Sequence, residues 1–132
     1  MPSVPWQTAQ PAADYHVLAP DGSEIRLLVS VGGGSMVHCT LQAGQVSQAV
    51  RHRTVEEVWY CLRGRGQLWR RTDEHEEVVE LRPGTAASIP LRTDFQFRAS
   101  GETALEIVIT TVPPWPGEQE AVAVAGMWSA TP

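Results

Sequence analysis

No window of this chain sustains an apolar period of 3.6 residues over three helical turns. Its apolar residues come instead in short alternating or β-branched runs cut apart by turn residues. Asp21-Gly22 is a hairpin signal, and Glu24 to Val31 reads as the strand after it. Gly32-Gly33-Gly34 breaks the run, and Met36 to Leu41 resumes it with Val37, Cys39 and Leu41 on one face. Further strands are predicted over Glu57 to Leu62, Gln67 to Arg71, Val78 to Leu81, Ala86 to Ile89, Phe95 to Arg98 and Leu105 to Thr111. Arg63-Gly64-Arg65-Gly66 is expected to turn, and the charged Thr72 to Glu77 segment to form a loop. About eight to ten short antiparallel strands suit an all-β, double-sheet jelly roll.

The 132 residues are enough for one domain with a real core. Residues 1–15, with Pro2, Pro5 and Pro11, lack periodicity and read as an extended arm; residues 16–112 read as the barrel. The tail, residues 113–132, opens on Pro113-Pro114-Trp115-Pro116-Gly117. Three prolines remove strand donors, so the segment is expected to leave the barrel and lay Trp115 on its surface. No apolar run reaches membrane length and no basic-plus-apolar leader is present, so a soluble, cytoplasmic protein without a membrane partner is expected. The net charge of −5 argues against nucleic acid, which needs a basic surface. Arg63, Arg65, Arg70 and Arg71 do cluster, but as a solvated strand edge balanced by Asp73, Glu74, Glu76 and Glu77. Cys39 and Cys61 fall in apolar strands without metal-type spacing, and read as buried thiols rather than a disulfide.

Two segments carry a more specific pattern. The first runs from Gly44 through Val50, His52 and Glu57 to Gly64, the second from Gly84 through Pro90, Arg92 and Phe95 to Ala99. The first resembles the first motif of the cupins: Gly, five residues, His, one, His, three or four, Glu, six, Gly. The count fits without gaps when Val50 stands where the first His belongs. The second cupin motif runs Gly, five residues, Pro, one, Gly, two, His, three, Asn. Here Gly84 and Pro90 keep their separation, while Arg92, Phe95 and Ala99 replace the Gly, His and Asn. The resemblance covers about residues 25 to 112. Small single-domain cupins with a similar Pro-Pro-Trp-Pro-Gly tail and a His-Arg-Thr-Val-Glu-Glu core are similar in subgroup detail. What the resemblance implies is a barrel whose frame has survived while two of its imidazoles have been lost.

Strand alternation then assigns the pocket. Val50 and His52 share one face of an extended segment; Glu57, Trp59 and Cys61 form an inward row; Phe95 and Phe97 form another. His52 and Glu57 are the expected catalytic residues, with Val50, Trp59, Cys61, Phe95 and Phe97 as substrate-binding walls. Without the frame, His52 beside Arg51 and Arg53 would read as a loop residue, and Glu56-Glu57 as a solvated acidic pair. His16, His38 and His75 have no partner at useful spacing.

Three functions follow. A His and a carboxylate in an apolar cavity can exchange a proton near neutral pH, which suits isomerisation, elimination or cyclisation of an apolar organic substrate without a cofactor. Alternatively, a divalent transition metal is held by His52 and Glu57 with Asp94 as the substitute ligand, or Gln96 or Gln48. The third reading is a non-catalytic barrel that binds a small hydrophobic ligand. A homodimer is expected, because the resemblance to small cupins implies association through the sheets and closed two-fold dimers are the commonest soluble oligomer.

Overall fold

The computed structural model describes residues 5–132. Eleven strands follow the turn signals: β1 (Val17–Leu18), β2 (Glu24–Val31), β3 (Gly34–Leu41), β4 (Val50–His52), β5 (Glu56–Arg63), β6 (Gly66–Arg71), β7 (Glu76–Leu81), β8 (Ala86–Ile89), β9 (Asp94–Ala99), β10 (Leu105–Val112) and β11 (Ala121–Ala123). They form a six-stranded sheet in the order β1-β2-β3-β10-β5-β8 and a five-stranded sheet in the order β11-β4-β9-β6-β7, every pair antiparallel. This is the expected jelly-roll barrel. No helix among the described residues is long and apolar enough to cross a membrane.

One end of the barrel is solid. Leu41, Leu68, Phe97 and Leu105 fill it, with Cys39 and Cys61 flanking Ile107 of β10 as free, buried thiols. Burial, and then the Asp21 carboxyl, push the Cys39 thiol up. The strand β5 shows how the pattern sets the faces: Glu57, Trp59 and Cys61 are buried while Val58, Tyr60 and Leu62 are exposed.

The frame positions hold the backbone that glycine permits. Gly64 has φ 82°, and a Cβ there would meet the Ala104 carbonyl oxygen at 2.3 Å. Arg92, standing where the resemblance expects Gly, keeps φ 63°. The turn has survived the loss of the residue suited to it.

Two expectations need correction. The end of the charged segment is strand: Glu76 and Glu77 pair with Arg71 and Arg70, so opposite charges face across the β6–β7 ladder. The tail does not simply leave the barrel. After its prolines and a short 3-10 turn at Glu118–Glu120, it returns as β11 and pairs with β4, Ala121 opposite His52. Further on, Gln96 clamps the tail, its Oε1 accepting from the Met127 and Trp128 amides and its Nε2 donating to the Ser47 and Trp128 carbonyls. The described part of the expected N-terminal arm runs along β2: Arg26 donates to the Ala12 and Ala13 carbonyls, and the Ser30 amide to Gln7 Oε1. Residues 1–4 of the expected arm lie outside the described residues.

Candidate active site

At the other end, between β2–β3 and β4–β9, lies a cavity of about 510 Å³. Its walls are mostly aliphatic and aromatic, the composition of small-molecule pockets. Val50, His52, Glu57, Trp59 and Phe95 all line it, as the alternation predicts. Cys61 and Phe97 do not; they point inward but lie deeper, in the core beneath Trp59, whose ring meets that of Phe97 at 5.0 Å. The inward row runs past the cavity floor, and its last member is packing.

Glu57 is buried on β5 beside Thr111 of β10. The Trp59 indole N–H donates to its Oε1 at 2.9 Å, which fixes the carboxyl plane. Its other oxygen, Oε2, faces Nδ1 of His52 at 3.9 Å, outside hydrogen-bond reach. His52 is also buried, and its Nδ1 has no hydrogen-bond partner. The imidazole is wedged edge-on between Phe95, at 5.2 Å, and Trp115, at 5.1 Å.

Burial sets the protonation of both groups. It lowers the His52 pKa to about 4, only partly opposed by the Glu120 carboxylate. It raises that of Glu57 to about 7, against the Trp59 hydrogen bond and reinforced by the Asp21 charge. So the imidazole stays neutral at neutral pH, and Glu57 is the group that titrates there. Glu120 itself, despite its burial, is held below the usual carboxylate range by the Thr54 hydroxyl and by the Thr54 and Val55 amides.

Sequence reasoning missed two parts of this site. Asp21 reads only as a hairpin residue, yet it lines the cavity. Its turn is docked on the barrel by the Gln48 amide, which donates to the Asp21 carbonyl, and Ser23 occupies Oδ1 through its amide and hydroxyl. Burial pushes the Asp21 carboxyl up against those bonds. Trp115 is a cavity wall rather than a surface cover; its amide donates to Ser35 Oγ at 3.1 Å. No period in the tail gives this away.

The substitute metal ligands do not converge. Asp94 is buried on the other face of β9, its two oxygens held by Arg51 at 2.7 Å and Arg71 at 2.8 Å. Gln96 shares that outer face and is committed to the tail, and Gln48 is exposed. Val50 and Phe95, in place of the two imidazoles of the frame, stand directly opposite each other. Among the described residues no three His, Cys, Asp or Glu side chains are grouped to hold a metal ion. Catalytic metal sites keep about three protein ligands, so the residues present do not fit one.

Residues 37–111 match the cupin domain family. An uncharacterized protein of Methanocaldococcus jannaschii is 28% identical over 110 residues, covering 80% of this chain and 85% of its own. Among solved structures, a Bacillus halodurans protein superimposes with a TM-score of 0.65 at 18% identity, over 86% of this chain and 90% of that one. KdgF from a Halomonas species gives 0.63 at 18% identity, over 76% and 87%. Oxalate decarboxylase of Bacillus subtilis gives 0.68 at 13% identity, but this chain covers only 30% of that enzyme.

Proposed function

The chain belongs to the cupin domain family, and within it we propose a branch that keeps the barrel frame without its metal and moves protons on an apolar organic substrate. The reaction class is isomerisation, elimination or cyclisation next to a carbonyl. One observation carries this reading: His52 Nδ1 and Glu57 Oε2 face each other 3.9 Å apart in an apolar cavity, close enough for one substrate group to bridge both.

The roles follow from the protonation states. Glu57, with a pKa of about 7, is the acid or base, because such a group exists in both forms at neutral pH. Trp59 orients it through Oε1, leaving Oε2 for the substrate. His52 remains neutral and is a hydrogen-bonding partner for the group on which charge develops. Val50, Phe95 and Trp115 exclude water. Acid–base catalysis of this kind supplies roughly 10²–10⁴ in rate, enough for an activated carbon acid.

The test is solvent deuterium incorporation into a panel of small arylketones and enones, followed by proton NMR. Wild type is expected to exchange the α-proton of at least one member, and His52→Ala or Glu57→Gln to abolish it. Exchange that is equal in wild type and His52→Ala overturns the assignment. Saturable binding without exchange, lost in both variants, supports the non-catalytic barrel instead.

A further inference from the structure

Among the described residues no cationic side chain lines the cavity. No arginine lines it, and the chain has no lysine at all, its ten basic residues all being Arg. The arginines nearest its walls are engaged elsewhere: Arg51 and Arg71 with Asp94, Arg53 with the Gln119 carbonyl, and Arg26 with Ala12 and Ala13. Three carboxyl groups, Asp21, Glu57 and Glu118, line the same space. The unpartnered Nδ1 of His52, in a side chain only 7% exposed, is a further buried polar atom of the lining.

From this juxtaposition we propose that the ligand is a small organic ammonium: a primary or secondary amine on an apolar frame. The N–H⁺ group lies between Asp21 and Glu57 with His52 as a third acceptor, and the frame lies against Trp59, Phe95 and Trp115. This names the substrate class for the site of the preceding subsection, an amine whose apolar frame also carries the carbonyl next to which the proton moves, and rests on that cavity being the ligand site. An ammonium can enter a low-dielectric space only where charge and hydrogen bonds meet it, and here acceptors meet it without a competing side-chain donor cation. Aromatic faces add attraction for the same charge. A carboxylate ligand would find three acidic side chains and, among the described residues, no cation to neutralise it. Burial of Glu57 and Asp21 raises both carboxyls, and a bound cation relieves that cost.

The experiment titrates three ligands of matched frame into the full chain by calorimetry at pH 7.5: 2-phenylethylammonium, 2-phenylethanol and 3-phenylpropanoate. The ammonium is expected to bind about tenfold or more tighter than the alcohol, and the carboxylate least of the three. Asp21→Asn should erase most of the margin between ammonium and alcohol. Carboxylate binding as tight as that of the ammonium overturns the proposal, and it does so on wild type alone. Binding by none of the three overturns it as well, while the deuterium-exchange assay decides the proton-transfer reading separately.

Discussion

The imidazole of His52 and the carboxyl of Glu57 face each other 3.9 Å apart in a buried pocket without a hydrogen bond between them. They are therefore not an ion pair that stabilises the barrel. Each is displaced by desolvation toward its neutral form, and each lowers stability in a definite pH window.

For Glu57, the unfolded chain ionises near 4.5 and the folded chain only near 7. Between those values the folded state binds more protons, so stability falls as pH rises through the window. For His52 the order is reversed: between about 4 and 6.5 the unfolded state binds more protons, and stability falls as pH drops. Glu57→Gln removes the first effect and leaves the second. The stability of the variant relative to wild type should thus improve between pH 4.5 and 8, by on the order of 3 kcal/mol if the full displacement is expressed. Urea unfolding of both proteins at pH 5 and pH 8 measures it. A pH-independent difference would contradict the buried, protonated carboxyl.

The strands and their faces were legible because alternation is a local signal. The inward row of β5 and the Val50–His52 face of β4 follow from alternation once the cupin frame marks those segments as strands. What was not legible depends on contacts between distant segments. Asp94 and Gln96 look like spare ligands until Arg51 and Arg71 engage the one, and the tail the other, on the outer face of β9. Asp21 enters the cavity only because its hairpin is tied to Gln48, twenty-seven residues on. Likewise, the prolines after Val112 exclude a strand locally but say nothing about its return as β11. The balance of influences on His52 was not legible for the same reason. Neither the depth of its burial nor the Glu120 carboxylate that partly opposes it could be read from the neighbours of His52 in sequence.

Arg92 offers a test of the frame itself. It is exposed and adopts φ 63°, a region that costs a non-glycine residue about 1–2 kcal/mol. Arg92→Gly relieves that strain but gives the unfolded chain more freedom, worth about 0.4–1 kcal/mol in the other direction. The net expectation is a gain of about 0.5–1 kcal/mol, read by urea denaturation, with ligand binding unchanged. Destabilisation would mean that the Arg92 side chain makes a contribution its exposure does not reveal.

Trp115 separates cavity wall from core. It is half-buried and meets His52 edge-on, whereas Trp59 is fully packed between Phe95 and Phe97. Trp115→Ala should weaken ligand binding about tenfold or more while costing about 1–2 kcal/mol of stability. Trp59→Ala should cost about 3–5 kcal/mol. Unchanged affinity in Trp115→Ala would return this residue to the surface role that its prolines suggested.

The outer face of the six-stranded sheet carries an apolar stripe. Val58, Tyr60 and Leu62 of β5 are 54%, 50% and 40% exposed. Through Thr110 of β10, Val58 is in register with Met36 of β3, which is also exposed. Such a face suits a two-fold homodimer, each copy covering the other's stripe. Light scattering at micromolar concentration should give twice the chain mass for wild type. Val58→Arg with Tyr60→Arg should give the monomer. A monomeric wild type would remove this proposal.

The opposition of Val50 and Phe95 makes the missing metal site testable by restoration. Both are buried, as Cα partners across β4 and β9, and Phe95 lies against the His52 ring. Val50→His combined with Phe95→His would add two imidazoles beside His52 and Glu57, a donor set suited to divalent transition metals. Overpacking at Val50 typically costs about 1–3 kcal/mol, partly offset by the smaller ring at position 95. After identical purification, elemental analysis should find the double variant metal-loaded and wild type metal-poor. The variant should also lose ligand binding, because the apolar wall has become polar. Circular dichroism and urea unfolding of the variant, with and without added zinc, show whether the barrel has held and whether metal stabilises it. Near-stoichiometric metal in wild type would overturn the metal-free reading and require donors beyond His52 and Glu57. A folded double variant with no greater metal affinity would mean that the frame no longer aims these four positions at one point.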